Sequence, residues 1–177
     1  MSLRPLNQRA QFRYTSIILL LAHAPLLARA GAARDACYAL RPVSLLAPDE
    51  PPPFEVVNPE GKSRYFLLCD HASSRMPRKL GTLGLAPAEV LTHIGWDIGA
   101  AEVARAVSAA LDAPLVLSGY SRLAIDCNRP PGAASSVPAV TCDVVVPGNA
   151  ELSPLERAAR EEALFWPYHR AAARVLA

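Results

Sequence analysis

The chain has 177 residues, 51% of them hydrophobic, and a formal net charge of +2. That length and apolar content suit one domain with a real core and exclude a mostly disordered chain. The small charge, with arginines scattered rather than gathered in runs, argues against nucleic acid as a partner and leaves a small anionic ligand as the compatible one.

Residues 1–42 differ from the rest. Arginines precede an apolar stretch from Ile17 to Leu27, and Ala28-Arg29-Ala30 follows as a small-x-small cleavage pattern. The segment reads either as a signal peptide, with export, or as an N-terminal extension of a cytoplasmic protein, including one whose start lies at Val43. The stretch is short for a bilayer, and His23 and Pro25 interrupt it, so no stable membrane span is expected. The proline-rich lead-in from Ala47 to Gly61 is short of backbone donors and stays semi-extended. The folded domain is expected over residues 43–177.

Tyr65 to Cys69 forms a short apolar run that reads as a strand buried on both faces, which puts Asp70 and His71 at its carboxyl end. A loop follows, and Pro87 opens a helix through His93, proline being favoured at a first helical position. The next helix is expected from about Ile98 to Leu111, with Val103, Val107, Ala110 and Leu111 as its apolar stripe and Asp97 as its N-cap.

"APLVLSGY" reads as the next strand and "RLAIDCN" as another, so strand, helix and strand alternate. The predicted class is α/β: three layers, a mainly parallel or mixed sheet and helices on both faces. In "SRLAIDCNRP", period-two alternation would put Arg122, Ala124, Asp126 and Asn128 on one face and Leu123, Ile125 and Cys127 on the other, with Arg129 at the strand exit before Pro130. "DVVVPGN" gives one more short strand. The last helix has a clear start signal, with Ser153 as cap, Pro154 at the first position and Glu156 completing a capping box; Pro167 within it predicts a kink before Tyr168 and His169.

Cys37, Cys69, Cys127 and Cys142 show no CxxC spacing and read as reduced structural thiols. Each polar candidate has a plain structural reading: a strand-end histidine satisfied by a carbonyl for His71, the same for His93 and His169, a helix cap for Asp97, and a buried Arg/Asp pair without ligand for Arg122 and Asp126. Taken together they suggest chemistry. Two neutral imidazoles and a carboxylate, with water in the open position, make a catalytic zinc site, and arginine pairs bidentately with a substrate carboxylate.

"LLCDHASSRMP", "HIGWDIGAAEVARAVSAAL", "SGYSRLAIDCNRP", "VPGNAELSPLERAAR" and "PYHRAAARVL" resemble, in order and spacing, successive motifs of the N-formylglutamate amidohydrolase family. The likeness runs from about Ser44 to the last residue. It implies zinc-dependent hydrolysis of the amide of N-formyl-L-glutamate or a similar N-acyl acidic amino acid, on a fold related to the zinc carboxypeptidases and aspartoacylases. It also implies one zinc ion on His71 and His169, and a substrate carboxylate on Asn128 and Arg129. Arg122 would bind carboxylate or polarise the scissile carbonyl, held in place by Asp126. The related carboxypeptidases carry a glutamate three residues after the first histidine, where this chain has Ser74. Asp97 is therefore the candidate carboxylate ligand, with His93 as an alternative fourth group. The family's domain is expected to continue past Ala177 into the part that carries the general-base glutamate, which Glu161 and Glu162 do not match. The rivals are a carboxylate-binding α/β module without catalysis and a fragment that does not fold stably.

Overall fold

Four strands form the central sheet in the order β1-β3-β4-β2: β1 Ile17–Leu21, β2 Phe54–Val57, β3 Tyr65–Cys69 and β4 Leu115–Ser118. The structure, a computed structural model, describes residues 17–21 and 44–176, with side chains from residue 44 onward. Strands β3 and β4 run parallel, with Leu67 opposite Leu115 and Cys69 opposite Leu117, while β1 and β2 flank them antiparallel, so the sheet is mixed. Five residues of the apolar N-terminal stretch thus line the sheet edge. The cleavage pattern at 28–30, Cys37 and the alternative start at Val43 lie outside the described residues.

Because β3 and β4 are covered on both sides, alternate residues serve two separate cores. Leu67, Cys69, Leu115 and Leu117 face α2 (Ala100–Leu111). Phe66, Leu68 and Val116 face the C-terminal helix, where Leu164, Phe165 and Tyr168 pack on them. A third cluster, around Leu83, Val90, Ile94, Leu123 and Val146, seats the connecting loops. Burying each large apolar side chain is worth about 1.5–3 kcal/mol, so strands of four and five residues are held by what covers them rather than by their ladders. Helices on both faces of a mixed sheet make this a three-layer α/β fold.

Helix α2 departs from its expected stripe. Its buried residues are Ala100, Ala104 and Ser108, whereas Val103 is 52% exposed and Leu111 41%. Small residues bring the helix axis close to the sheet, and the larger aliphatic positions turn outward. The N-cap is Gly99 at φ +83°, not Asp97, which starts no helix and has its carboxylate elsewhere. The helix opened by Pro87 is a single turn, α1 (Pro87–Val90), and does not reach His93. "DVVVPGN" supplies β6 (Val144–Val145), paired with β5 (Val140–Thr141) through a two-residue turn with Cys142 and Asp143 at positive φ, the conformation that tight hairpins need.

The expected strand at "RLAIDCN" does not form. Residues 121–129 are a folded loop at the carboxyl end of β4, with turns closed by Ala124 N on Ser121 O and Arg129 N on Asp126 O. Polar groups from distant elements take its backbone instead of a neighbouring strand: Asn149 donates to the Leu123 carbonyl, Arg160 to that of Ala124 and His169 to that of Cys127. With its buried carbonyls satisfied this way, the segment has no need of a ladder.

After α3 (Pro147–Ala150), α4 (Pro154–Arg160) begins as its capping box dictates, Ser153 Oγ accepting from Glu156 N and Glu156 Oε2 from Ser153 N. Pro167 lacks the N–H for the carbonyl of Ala163, and the helix answers with a wider π-helical turn over Glu161–Phe165 before α5 (Trp166–Val175).

Candidate active site

The carboxyl ends of β3 and β4 lie side by side, the place where open α/β sheets gather ligands. Past the end of β3 come Asp70 and His71; past β4 comes the 121–129 loop. Two backbone bonds dock the connection before α2 between them, Asp97 N on His71 O at 3.1 Å and Arg122 N on Gly95 O at 3.2 Å. Gly95 must be glycine there, because a Cβ would lie 2.1 Å from the carbonyl oxygen of Val90.

These ties bring four of the sequence-derived residues into one corner. His71 Nε2 donates to Asp126 Oδ1 at 2.8 Å, and Nδ1 stands 3.4 Å from Asp97 Oδ2. Arg122 donates through Nη2 to Asp126 Oδ2 at 2.8 Å, while its Nη1 is 3.4 Å from His71 Nδ1 and 3.9 Å from Asp97 Oδ1. Asp126, 1% exposed, grips both partners at once and accepts from Asn128 N as well.

Burial pulls the His71 imidazole toward neutrality, but the carboxylates of Asp126 and Asp97 outweigh it and push its pKa up to about 8. Burial likewise opposes ionisation of Asp126, and His71 and Arg122 overcome it and hold the carboxyl below its ordinary range. Asp70 behaves in the opposite way. Burial pushes it up despite the 2.6 Å hydrogen bond from Tyr168 Oη to Oδ1, and its Oδ2 is buried without a hydrogen-bond partner.

The remaining sequence candidates stand apart from this corner. His169 stacks on Phe165 and donates from Nε2 to the Cys127 carbonyl at 3.0 Å; burial keeps it neutral. Asn128 is half-buried and Arg129 exposed, one turn on from Asp126. His93, after α1, is half-buried with Nε2 unpartnered. The carboxylate of Glu161 accepts from Gly132 N. Burial pushes the thiols of Cys69 and Cys127 up to about 12, whereas Cys142 is exposed.

Among the described residues no group of three or more His, Cys, Asp or Glu side chains converges tightly enough to hold a metal ion. The donor chemistry nevertheless fits a divalent cation. Two ligand bonds of zinc length at a tetrahedral angle put their donor atoms about 3.3 Å apart, close to the 3.4 Å between His71 Nδ1 and Asp97 Oδ2. In both His71 and His169 an acceptor holds Nε2–H, so Nδ1 is the nitrogen that a metal would take once it is deprotonated; in His71 it lies 3.4 Å from both Asp97 Oδ2 and Arg122 Nη1.

Sequence reasoning missed three buried polar residues that hold this site together: Asn149, Arg160 and Tyr168. Asn149 and Arg160 lie within "VPGNAELSPLERAAR", where a polar residue inside a turn that buries is the signal that singles out Asn149.

Fold and corner define the class: an α/β protein of hydrolase-like fold with an acidic, histidine-centred and arginine-bearing site at the strand carboxyl ends. The model of the N-formylglutamate amidohydrolase family matches residues 63–177, and the chain belongs to that family. Among solved structures it is similar to the crystal structure of gene product Atu2144 from Agrobacterium tumefaciens, with a TM-score of 0.72 and 39% identity over 75% of this chain and 52% of that one. The chain thus spans about half the length of that structure. No curated protein matches it. No helix among the described residues is long and apolar enough to cross a membrane.

Proposed function

We propose that this chain is a zinc-dependent amidohydrolase that cleaves N-formyl-L-glutamate, or a similar N-acyl acidic amino acid, to formate and the free amino acid. The observation that carries the reading is the corner itself: an imidazole flanked by Asp97 and Asp126, with a guanidinium locked against the same carboxylate.

Of the expected ligands, His71 and Asp97 stand together and would hold the metal, which when bound would supply a Lewis acid and an activated water, while His169 stands apart from them. Asp126 fixes the His71 tautomer and, through Nη2, the plane of the Arg122 guanidinium, so Nη1 is oriented before substrate arrives. An oriented donor costs no reorganisation when negative charge develops on a carbonyl oxygen. Arg129, exposed, and Asn128 supply donors for the substrate carboxylate, with Arg122 as the third.

Chelator-treated protein reloaded with zinc should release formate from N-formyl-L-glutamate and much less from N-formyl-leucine, and His71→Ala and Arg122→Ala should each abolish most of the rate. A folded, zinc-loaded chain that releases no formate above blank contradicts the proposal. It would favour the second reading, a carboxylate-binding module, which would keep the Arg122 guanidinium that Asp126 orients.

A further inference from the structure

Arg160 is a buried cation in an unusual setting. It is 3% exposed, and among the described residues no carboxylate pairs with it. Its partners are neutral oxygens: Nη1 donates to the Ala124 carbonyl at 3.1 Å and to Asn149 Oδ1 at 2.7 Å, Nη2 donates to the Gly148 carbonyl at 3.2 Å, and Nε has none. Asn149, 4% exposed, completes the set by donating from Nδ2 to the carbonyls of Leu123 and Pro138, each at 3.0 Å.

Burying an unpaired charge is costly, and an apolar side chain of similar size would fill the same space without that cost. What no apolar side chain can do is hold two consecutive carbonyls at fixed points. Leu123 O and Ala124 O lie between Arg122 and Asp126, the pair whose mutual 2.8 Å contact depends on how the chain turns between them. The planar fork suits the task, since its two Nη groups reach Ala124 O, Asn149 Oδ1 and Gly148 O together, which a lysine's point charge cannot reproduce.

We infer that Asn149 and Arg160 are positioning residues: by holding the Leu123 and Ala124 carbonyls they set the turn that presents Arg122 and Asp126 to His71. The role in catalysis rests on the amidohydrolase reading above; the role in shaping the loop does not.

Arg160→Met, Arg160→Lys and Asn149→Ala, all in the full chain, separate the two. Hydrogen exchange read without substrate should show the amides of Ala124 and Asp126 exchanging at least about tenfold faster in each variant, with β3 and β4 as protected as in wild type. Hydrolysis should fall roughly 10- to 100-fold in kcat/KM, the scale of a catalytic group misplaced by about an ångström. That loss should nearly vanish when Arg122 is already alanine, since both changes then remove one function.

Loop exchange within about twofold of wild type in the folded variants overturns the inference, as do losses at Arg160 and Arg122 that multiply independently. If wild type releases no formate, the amidohydrolase reading fails and the exchange data still decide the loop. Should Arg160→Met not fold, Arg160→Lys and Asn149→Ala decide by the same readings.

Discussion

Asp126→Asn keeps the size of the residue that joins His71 to Arg122 and removes its charge. In the wild type the two carboxylates lift the His71 pKa from 6.5 to about 8, and a rise of that size corresponds to about 2 kcal/mol of stability. A raised folded-state value contributes fully below pH 6.5 and is lost as the pH climbs through about 8. Asn at 126 removes the largest favourable contribution and leaves Asp97. The variant also weakens the charge-assisted bond to Arg122, at the lower end of the roughly 1.5–3 kcal/mol such bonds carry because the arginine side chain is 25% exposed. Chelator-treated Asp126→Asn should therefore be less stable than wild type by about 3 kcal/mol at pH 6, and the gap should close to about half of that by pH 9. Urea denaturation at a series of pH values measures the gap, and NMR titration of His71 should show its midpoint falling from about 8 toward the ordinary value. A gap that stays constant from pH 6 to pH 9, or a wild-type His71 that titrates near 6.5, would refute the electrostatic account of this corner.

Three further outcomes follow from the same geometry. Gly95→Ala drives a Cβ to 2.1 Å of the Val90 carbonyl; calorimetry should show a loss above about 2 kcal/mol, with the Arg122 amide losing its exchange protection. Tyr168→Phe leaves both oxygens of the buried Asp70 without a protein donor, so thermal unfolding should report about 1–3 kcal/mol of lost stability, and a neutral result would mean that water reaches Asp70. At pH 8, iodoacetamide should label exposed Cys142 in the native protein and spare Cys69 and Cys127, whose thiols sit at about 12, until urea exposes them; peptide mass spectrometry reads this directly.

Strands and helix starts were legible where the cause is local. Tyr65–Cys69 is an uninterrupted apolar run, Leu115–Ser118 follows a proline, and Ser153-Pro154-Leu155-Glu156 carries its own hydrogen bonds. The loop at 121–129 was not legible because its alternation imitates a strand, while its shape is imposed by Asn149, Arg160 and His169, 26 to 42 residues distant along the chain. Asp97 misleads for a related reason. A carboxylate just before a helix looks like a cap, yet Gly99 takes that place and the carboxylate turns to His71 and Arg122. On α2 the aliphatic residues suggested one face, and the closeness of helix to sheet selected the small ones. The residue types of the site were visible in order; their convergence depended on ties such as Gly95 to Arg122, which no periodicity records.

Under the proposed function, His71 Nδ1 and the carboxylate of Asp97 share one cation beside Arg122. Crystals grown with zinc and measured at the zinc absorption edge test this directly. An anomalous peak within bonding distance of His71 Nδ1 and Asp97 Oδ2 is the predicted result; a peak elsewhere, or none in protein that binds zinc in solution, would contradict it.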